Sequence, residues 1–279
     1  LESKNKDGLT PLHLAVMRGR EPIVTFLLDQ GGDINTGDRN RFTPLHTAVQ
    51  LGKAEMVDLL LTRGANVTRT DKDGRTPLHV AAESGFLELA QRLVDKKADI
   101  EAPDRSKRTP LFGAIISGKL PIVEYLIGKG ASVNIRDADG RTPLYTALLY
   151  QQTGIAQKLV ENSADVNTVD NLGQNFLFAA AGNETPEMAV WLLSQGLNVN
   201  TSDKNKWTPL HAAAERGCVE TVALFIAKGA VVDAADKELH TPLHIAAKRG
   251  HIVIVKTLME NGANCELLDN KGRMPLHLA

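Results

Sequence analysis

The stretch Thr10-Pro11-Leu12-His13 returns along the chain at a fixed step of 33 residues. Chance seldom reproduces residue type and register together, so this periodicity predicts a chain built from equal structural units. Nine such anchors occur without an insertion, the later ones being Thr43-Pro44-Leu45-His46, Thr76-Pro77-Leu78-His79, Thr109-Pro110-Leu111-Phe112, Thr142-Pro143-Leu144-Tyr145, Asn175-Phe176-Leu177-Phe178, Thr208-Pro209-Leu210-His211, Thr241-Pro242-Leu243-His244 and Met274-Pro275-Leu276-His277.

Each anchor predicts the start of a short helix. The Thr hydroxyl can accept a hydrogen bond from a free backbone amide, and Pro at the first helical position gives up an amide that would be unpaired anyway. A Gly nine residues after the Thr ends this helix, because Gly tolerates positive φ. A second helix follows, and its apolar pairs four residues apart predict one buried stripe per helix. Examples of these pairs are Ile23-Val24 with Leu27-Leu28, Met56-Val57 with Leu60-Leu61, and Ile122-Val123 with Leu126-Ile127.

The segment between helix pairs is predicted to form a hairpin-like finger. A second Gly, such as Gly31 or Gly64, closes the second helix, and an Asp then recurs in every repeat, as at Asp38 and Asp71. An Asp side chain in a turn can accept hydrogen bonds from nearby backbone amides. Polar turn residues follow this Asp before the next Thr.

Together these features resemble the ankyrin repeat family, whose period is 33 residues and whose signature is Thr-Pro-Leu-His-x-Ala. The resemblance implies an all-α fold, an α-solenoid of stacked helix-turn-helix units with β-hairpin-like fingers. We expect one solenoid over residues 1–279, shaped as a curved rod and cut from a longer chain, because neither end carries a polar capping repeat. Its repeats would be residues 5–37, 38–70, 71–103, 104–136, 137–169, 170–202, 203–235 and 236–268, with a partial repeat at 269–279.

Composition narrows the class of protein. A hydrophobic content of 43% can form a core, which argues against a disordered polymer. The net charge of -1 gives no overall attraction for nucleic acid or an anionic membrane. The two cysteines, Cys218 and Cys265, cannot form a disulfide framework, so we expect free thiols, with Cys265 buried, in an intracellular and cytoplasmic location. No apolar run approaches the roughly 18 residues that span a bilayer, so we expect no membrane insertion.

The chain offers no recognisable catalytic or metal-binding constellation. Six of its eight histidines share one repeat position. Spacing in register favours a structural role, and the family's histidine there bridges loops by hydrogen bonds. The phosphate-binding loop, the Gly-x-Ser-x-Gly elbow and the His-Glu-x-x-His pair are all missing from the sequence. We therefore expect no enzyme activity, no metal and no cofactor.

Repeats five and six depart from the pattern. Gln151 and Glu184 replace the Gly between helices, Ser163 replaces the closing Gly, and Asn175-Phe176 replaces Thr-Pro. Thr185-Pro186 is a compensating start signal for a second helix. Two interpretations stay open: a local hinge, or neutral drift that the stack absorbs.

The resemblance places partner binding on a concave surface formed by finger tips and first helices, at the residues four, three and one before each Thr and seven and eight after it. Apolar side chains occupy several of these positions, where other repeats carry charge. They either form a docking patch or pack under neighbouring side chains. Arginines of the fingers and two finger aromatics complete the predicted partner-binding set, which is Phe42, Leu51, Arg75, Arg105, Arg108, Ile116, Arg141, Leu149, Tyr150 and Trp207.

We interpret the chain as a non-enzymatic scaffold or adaptor that binds a peptide or protein surface through repeats two to five. The partner would carry apolar anchors flanked by acidic residues, and further domains of the parent chain are additional partners. The alternative is an elastic spacer or assembly strut in a larger membrane-associated or cytoskeletal protein. The family also contains substrates of an asparaginyl hydroxylase, and Asn167 matches that motif best through Leu159, Asp165 and Val166.

Overall fold

The structure is a computed structural model that describes residues 1–182 and 186–279. Within these ranges the chain forms sixteen α-helices and one short 3₁₀ helix, and no strand. The odd-numbered helices begin at the anchors and are called first helices; the even-numbered ones are called second helices. The α-helices are α1 Pro11–Met17, α2 Glu21–Asp29, α3 Pro44–Gln50, α4 Ala54–Thr62, α5 Pro77–Ser84, α6 Leu87–Asp95, α7 Pro110–Ile116, α8 Leu120–Gly128, α9 Pro143–Leu149, α10 Thr153–Glu161, α11 Phe176–Ala180, α12 Glu187–Ser194, α13 Pro209–Arg216, α14 Val219–Ala227, α15 Pro242–Arg249 and α16 Ile252–Glu260, and the 3₁₀ helix is Pro275–Leu278.

The chain divides into two compact units, Leu1–Ala138 and Asp139–Ala279. In the first unit, α1, α3, α5 and α7 pack in sequence order, and α6 packs on both α4 and α8. In the second unit, α9, α11, α13 and α15 pack in the same way, and the 3₁₀ helix packs on α15. Each unit is a stack of helix pairs, so the predicted all-helical repeat solenoid is confirmed.

The predicted helix starts are confirmed at the anchors. Thr43 has extended backbone and its Oγ1 accepts from the amide of His46, with Pro44 at the first helical position. Asn175, which replaces Thr, caps α11 by accepting from the amide of Leu177 at 3.0 Å. The Gly residues predicted to end the first helices have positive φ, and so do their replacement Gln151 and Ser163 at the end of a second helix. Glu184 and Thr185 lie outside the described residues.

The buried stripe of the second helices forms the core with the first helices. Met56 and Ile122 are 2% and 1% exposed, whereas Ile23 at the same repeat position is 51% exposed. The prediction that Ile23 is buried was wrong. In the first unit α6 and α8 each pack on an earlier second helix, whereas α2 is the first second helix of the chain, so its outer side chains stay uncovered.

The recurrent Asp organises each finger as predicted. Asp71 Oδ1 accepts from the amides of Asp73 and Arg75, both at 2.8 Å. Successive fingers are then joined by one backbone bond, for example from the amide of Lys72 to the carbonyl of Asn40 at 2.8 Å. These bonds fix the finger backbone, so side chains at the finger tips are held in defined positions.

Four fingers place a side chain where the others place Gly. Gly8, Gly74, Gly140, Gly173 and Gly272 all have positive φ two residues before the anchor. The same position holds a left-handed non-Gly residue in the remaining fingers, which carry Arg41, Lys107, Lys206 and Leu239. Left-handed backbone costs a residue with a Cβ about 1 kcal/mol or more, so these four fingers carry strain.

We expect Leu239→Gly to stabilise the chain by about 0.5–1 kcal/mol. Leu239 has φ 63° and is 50% exposed, so the substitution relieves backbone strain and removes little buried surface. Urea denaturation followed by circular dichroism measures the change. The reverse swap Gly272→Leu, at φ 71° with open space around the added side chain, should destabilise by a similar amount. Equal stability of all three proteins would contradict the strain argument.

Candidate protein-binding surface

The finger turns and the C-terminal ends of the first helices are together called the finger face of each unit. In the first unit Leu51 is 47% exposed and Ile116 is half-buried. In the second unit Leu149 is half-buried and Tyr150 is 47% exposed. None of the four apolar side chains is fully covered by the chain, so each retains surface that a partner could contact.

The predicted arginines of the first unit are mostly engaged within the chain. Arg75 donates to Asp71 Oδ2 at 2.9 Å and to Glu83 Oε2 at 3.0 Å. Burial raises the pKa of Glu83, and the guanidinium of Arg75 opposes that shift. Arg108 pairs with Asp104 at 2.9 Å. Both guanidiniums therefore neutralise carboxylates of their own fingers.

Arg105 differs from these two arginines. It is exposed at its finger tip and forms no salt bridge with any part of the chain that the structure describes. Its amide donates to the carbonyl of Asp73 at 2.9 Å, so its backbone is fixed while its charge faces solvent. Arg105 is thus the predicted cation of the first unit with most charge available to a partner.

Arg141, in the second unit, is also held by its neighbours. It lies 3.4 Å from Asp139 and 5.6 Å above the ring of Tyr145. Tyr145 replaces the recurrent histidine, and burial raises its pKa to about 12. Its hydroxyl donates weakly to Gln174 Oε1 at 3.4 Å. The Arg141 side chain therefore stabilises its own repeat as well as contributing charge to the finger face.

The two finger aromatics line surface pockets, one in each unit. Phe42 lies 5.1 Å from the ring of His46 and borders a pocket of about 440 Å³. Leu9 and Met17 border the same pocket. Sequence reasoning missed both, although Leu9 stands one residue before Thr10 and Met17 stands seven after it, which are positions already assigned to the partner surface.

In the second unit, Trp207 lies 4.9 Å from the ring of His211. It borders a pocket of about 450 Å³ together with Ile245, Lys237 and Lys248. The indole is half-buried, so it packs on its first helix and still presents one side to solvent.

The recurrent histidines are structural, as predicted. His46 Nδ1 accepts from the amide of Thr43 at 3.3 Å, and Nε2 donates to the carbonyl of Arg75 in the next finger at 3.1 Å. This pattern needs the neutral ring, and burial lowers the pKa of His46 to about 4. Burial also lowers the pKa of the equivalent residues His13, His79, His211 and His244.

His240 has a different role, which the sequence analysis did not assign. It occupies the finger position that holds Arg in other repeats, with Nδ1 3.3 Å from Asp236 and Nε2 3.6 Å from Asp269. The imidazole therefore lies between the recurrent carboxylates of two successive fingers. Across residues 1–182 and 186–279, no group of His, Cys, Asp and Glu is arranged to hold a metal ion.

The two cysteines and Asn167 are the remaining residues for which the sequence made predictions. Neither Cys218 nor Cys265 forms a disulfide, as predicted, but Cys265 is half-buried and not buried as expected. Asn167 is exposed and its amide donates to Asp165 Oδ1 at 2.9 Å. By contrast, Asn200 at the same repeat position bonds the next repeat through Val231 and Gly229. Hydroxylation of Asn167 stays a prediction.

Helix pairs joined by short turns, with finger backbones held by hydrogen bonds, define a helical repeat protein. Family models for ankyrin repeats match residues 1–71, 66–137, 104–170, 154–236 and 226–279. The chain therefore belongs to the ankyrin repeat family. Comparison with curated proteins gives no match. None of the helices in the described residues is both long and apolar enough to cross a bilayer.

Proposed function

We propose that this chain is a scaffold or adaptor that binds a protein segment on its finger faces. Ankyrin repeats are in general protein–protein interaction modules and typically have no enzyme activity. The observation that carries the finer proposal is the exposure of apolar side chains beside cationic fingers, at repeat positions that hold charged residues elsewhere. A cytoplasmic location accords with two cysteines that form no disulfide.

In the first unit the proposed contacts are Phe42, Leu51, Arg105, Arg108 and Ile116. Leu51 at the end of α3 and Ile116 at the end of α7 supply apolar surface, while the equivalent positions at the end of α5 hold Glu83 and Ser84. Arg105 supplies a cation with no partner among the described residues. A segment with an apolar residue beside an Asp or Glu complements this combination.

In the second unit the proposed contacts are Arg141, Leu149, Tyr150 and Trp207. Tyr150 caps the C-terminus of α9 and keeps its ring half in solvent. Tyr and Trp are frequent interface hot spots because they bury a large area at low cost in side-chain entropy. These residues would form the partner contacts on the finger face of the second unit.

We expect Tyr150→Ala and Arg108→Ala each to weaken partner binding by about 1–3 kcal/mol. Affinity capture with the unchanged chain and with the double variant, quantified by mass spectrometry, identifies partners that depend on these residues. Titration of each such partner by calorimetry then gives the loss for each single variant.

The control pairs Arg63→Ala with Val190→Ala, since Arg63 caps the C-terminus of α4 and Val190 lies on α12, both away from the finger faces. Partners that bind the control but not the Tyr150 and Arg108 double variant support the proposal. Because Arg108 also pairs with Asp104, thermal unfolding of the double variant must match that of the control. Partners that bind both variants equally would overturn the proposed contacts at Tyr150 and Arg108, and the capture of no partner at all would favour the spacer role.

A further inference from the structure

We propose that the pocket at Trp207 binds a segment of a partner protein in which one aromatic or aliphatic side chain is flanked by acidic residues. This inference deepens the proposed function by giving one pocket and one partner chemistry. Lys237 and Lys248 stand at the rim of this pocket, and Trp207 and Ile245 form its apolar part. We call this site the Trp207 pocket.

The apolar part of the Trp207 pocket is rigid. The indole lies over the ring of His211, which is itself fully buried and bonded to the carbonyl of His240 at 3.1 Å. The amide of Trp207 donates to Asp203 Oδ1 at 2.9 Å, so its backbone is held as well. A preorganised aromatic surface loses little entropy when a ligand side chain packs on it. One face of the indole therefore provides a ready contact for a flat or branched apolar group.

The acidic and basic side chains of the Trp207 pocket differ in how far they are paired within the chain. Three acidic residues line the pocket: Arg249 bonds Glu215, the buried Asp236 accepts from the amides of Glu238 and His240 at 2.8 Å each, and the exposed Glu238 lies 3.6 Å from His240 Nδ1. Lys237 and Lys248 are exposed and form no salt bridge with a described residue. The two exposed lysines thus outnumber Glu238, the one exposed carboxylate of the lining, and this excess of exposed positive charge favours carboxylates on the ligand.

The surrounding fingers extend this positive field. Neighbouring finger tips carry further lysines that are exposed and make no salt bridge within the described ranges. Backbone bonds between fingers hold these tips side by side, as between the amide of Lys237 and the carbonyl of Asn205 at 3.0 Å. Charges of one sign within about one Debye length reinforce each other. The additional lysines are Lys204, Lys206 and Lys271.

The charge can be tested without a ligand, by quenching Trp207 fluorescence with iodide and with caesium ions. In a Trp191→Phe background, Trp207 is the one remaining tryptophan, because the chain has two. We expect the ratio of iodide quenching to caesium quenching for this indole to be several-fold higher than for free N-acetyltryptophanamide at equal ionic strength. The double variant Lys237→Glu plus Lys248→Glu should lower this ratio below that of the free compound. A ratio equal to that of the free compound in the unchanged pocket would overturn the positive field.

The ligand chemistry can be tested by selecting a display library of random linear peptides on the unchanged chain. We expect the enriched peptides to share an aromatic or aliphatic residue between Asp or Glu residues. Trp207→Ala should lower their affinity at least tenfold, as should Lys237→Glu plus Lys248→Glu. The charge-matched control is Lys228→Glu plus Lys256→Glu, since both lysines are exposed at or on second helices; it should leave affinity within twofold.

The outcomes separate this inference from the broader proposal. Peptides whose binding depends on Trp207 and the two rim lysines support the Trp207 pocket. This holds even if Tyr150→Ala and Arg108→Ala have no effect. That result would refute only the proposed contacts at Tyr150 and Arg108. Peptides without acidic residues, peptides that bind Trp207→Ala equally well, or no enrichment at all would overturn it. Peptides lost on Tyr150→Ala but retained on Trp207→Ala would overturn the Trp207 pocket and leave the proposed function standing.

Discussion

His46→Ala lowers the free energy of unfolding by about 3–4 kcal/mol, the largest single effect we expect. The side chain is fully buried, so truncation leaves a cavity. It also removes two sets of hydrogen bonds, one to the cap residue Thr43 and one to the carbonyl of Arg75 in the next finger. Unpaired polar groups then remain in a buried setting, which costs more than the bonds alone. Urea denaturation followed by circular dichroism measures the loss.

Two further variants distinguish the stability lost through the cavity from the stability lost with the hydrogen bonds. His46→Phe fills the space as Phe112 does in the fourth repeat, where Thr109 Oγ1 is left buried without a partner. We expect it to cost about 1–2 kcal/mol, less than His46→Ala. His277→Ala, at the same repeat position but exposed, should change stability by less than about 0.5 kcal/mol. Equal effects at positions 46 and 277 would contradict the bridging role.

The second large effect is a loss of stability as the pH falls from 7 to 5. Burial lowers the pKa of His46 from 6.5 to about 4, so the unfolded chain takes up a proton in a range where the folded chain does not. The contribution of the neutral His46 ring to the free energy of unfolding is fully present above pH 6.5. It is lost as the pH falls toward 4, by about 3 kcal/mol in total. The equivalent histidines with lowered pKa values act in the same direction.

Urea midpoints measured at closely spaced pH values between 7 and 5 give the slope of stability against pH. His79→Phe removes one of these histidines and should reduce the slope by up to about 1.4 kcal/mol per pH unit. Most carboxylates titrate below this range, so the slope reports chiefly on histidine. A pH-independent midpoint, or an unchanged slope in His79→Phe, would show that the buried rings do not stay neutral in the folded chain.

Much of the local structure followed from the sequence because its causes are local. Thr, Pro and Gly at fixed offsets determine where the helices begin and end, as at Thr43, Pro44 and Gly52. The recurrent Asp bonds amides only two and four residues away, so its role in the finger could also be predicted. The 33-residue period also predicted the stacking of the helix pairs, since each repeat must pack on its neighbours to bury its apolar face.

The candidate site was less predictable because it depends on which side chains face one another. Arg75 was expected to be available to a partner, yet Asp71 and Glu83 engage it. Ile23 was expected to be buried, yet no earlier second helix of the chain lies beside α2. Leu9 and Met17 stood in the correct register, but their shared pocket with Phe42 depends on the packing of successive fingers.

For this protein, the sequence by itself determined the repeat period, the helix boundaries and the family, because caps, turns and apolar spacing act over a few residues. The tertiary structure alone decided which charges are available. Lys237 and Lys248 remain without salt bridges, whereas Arg75 and Arg108 neutralise buried carboxylates. Pairing of charges depends on distances between side chains of neighbouring elements, and the spacing of residues along the chain does not fix those distances.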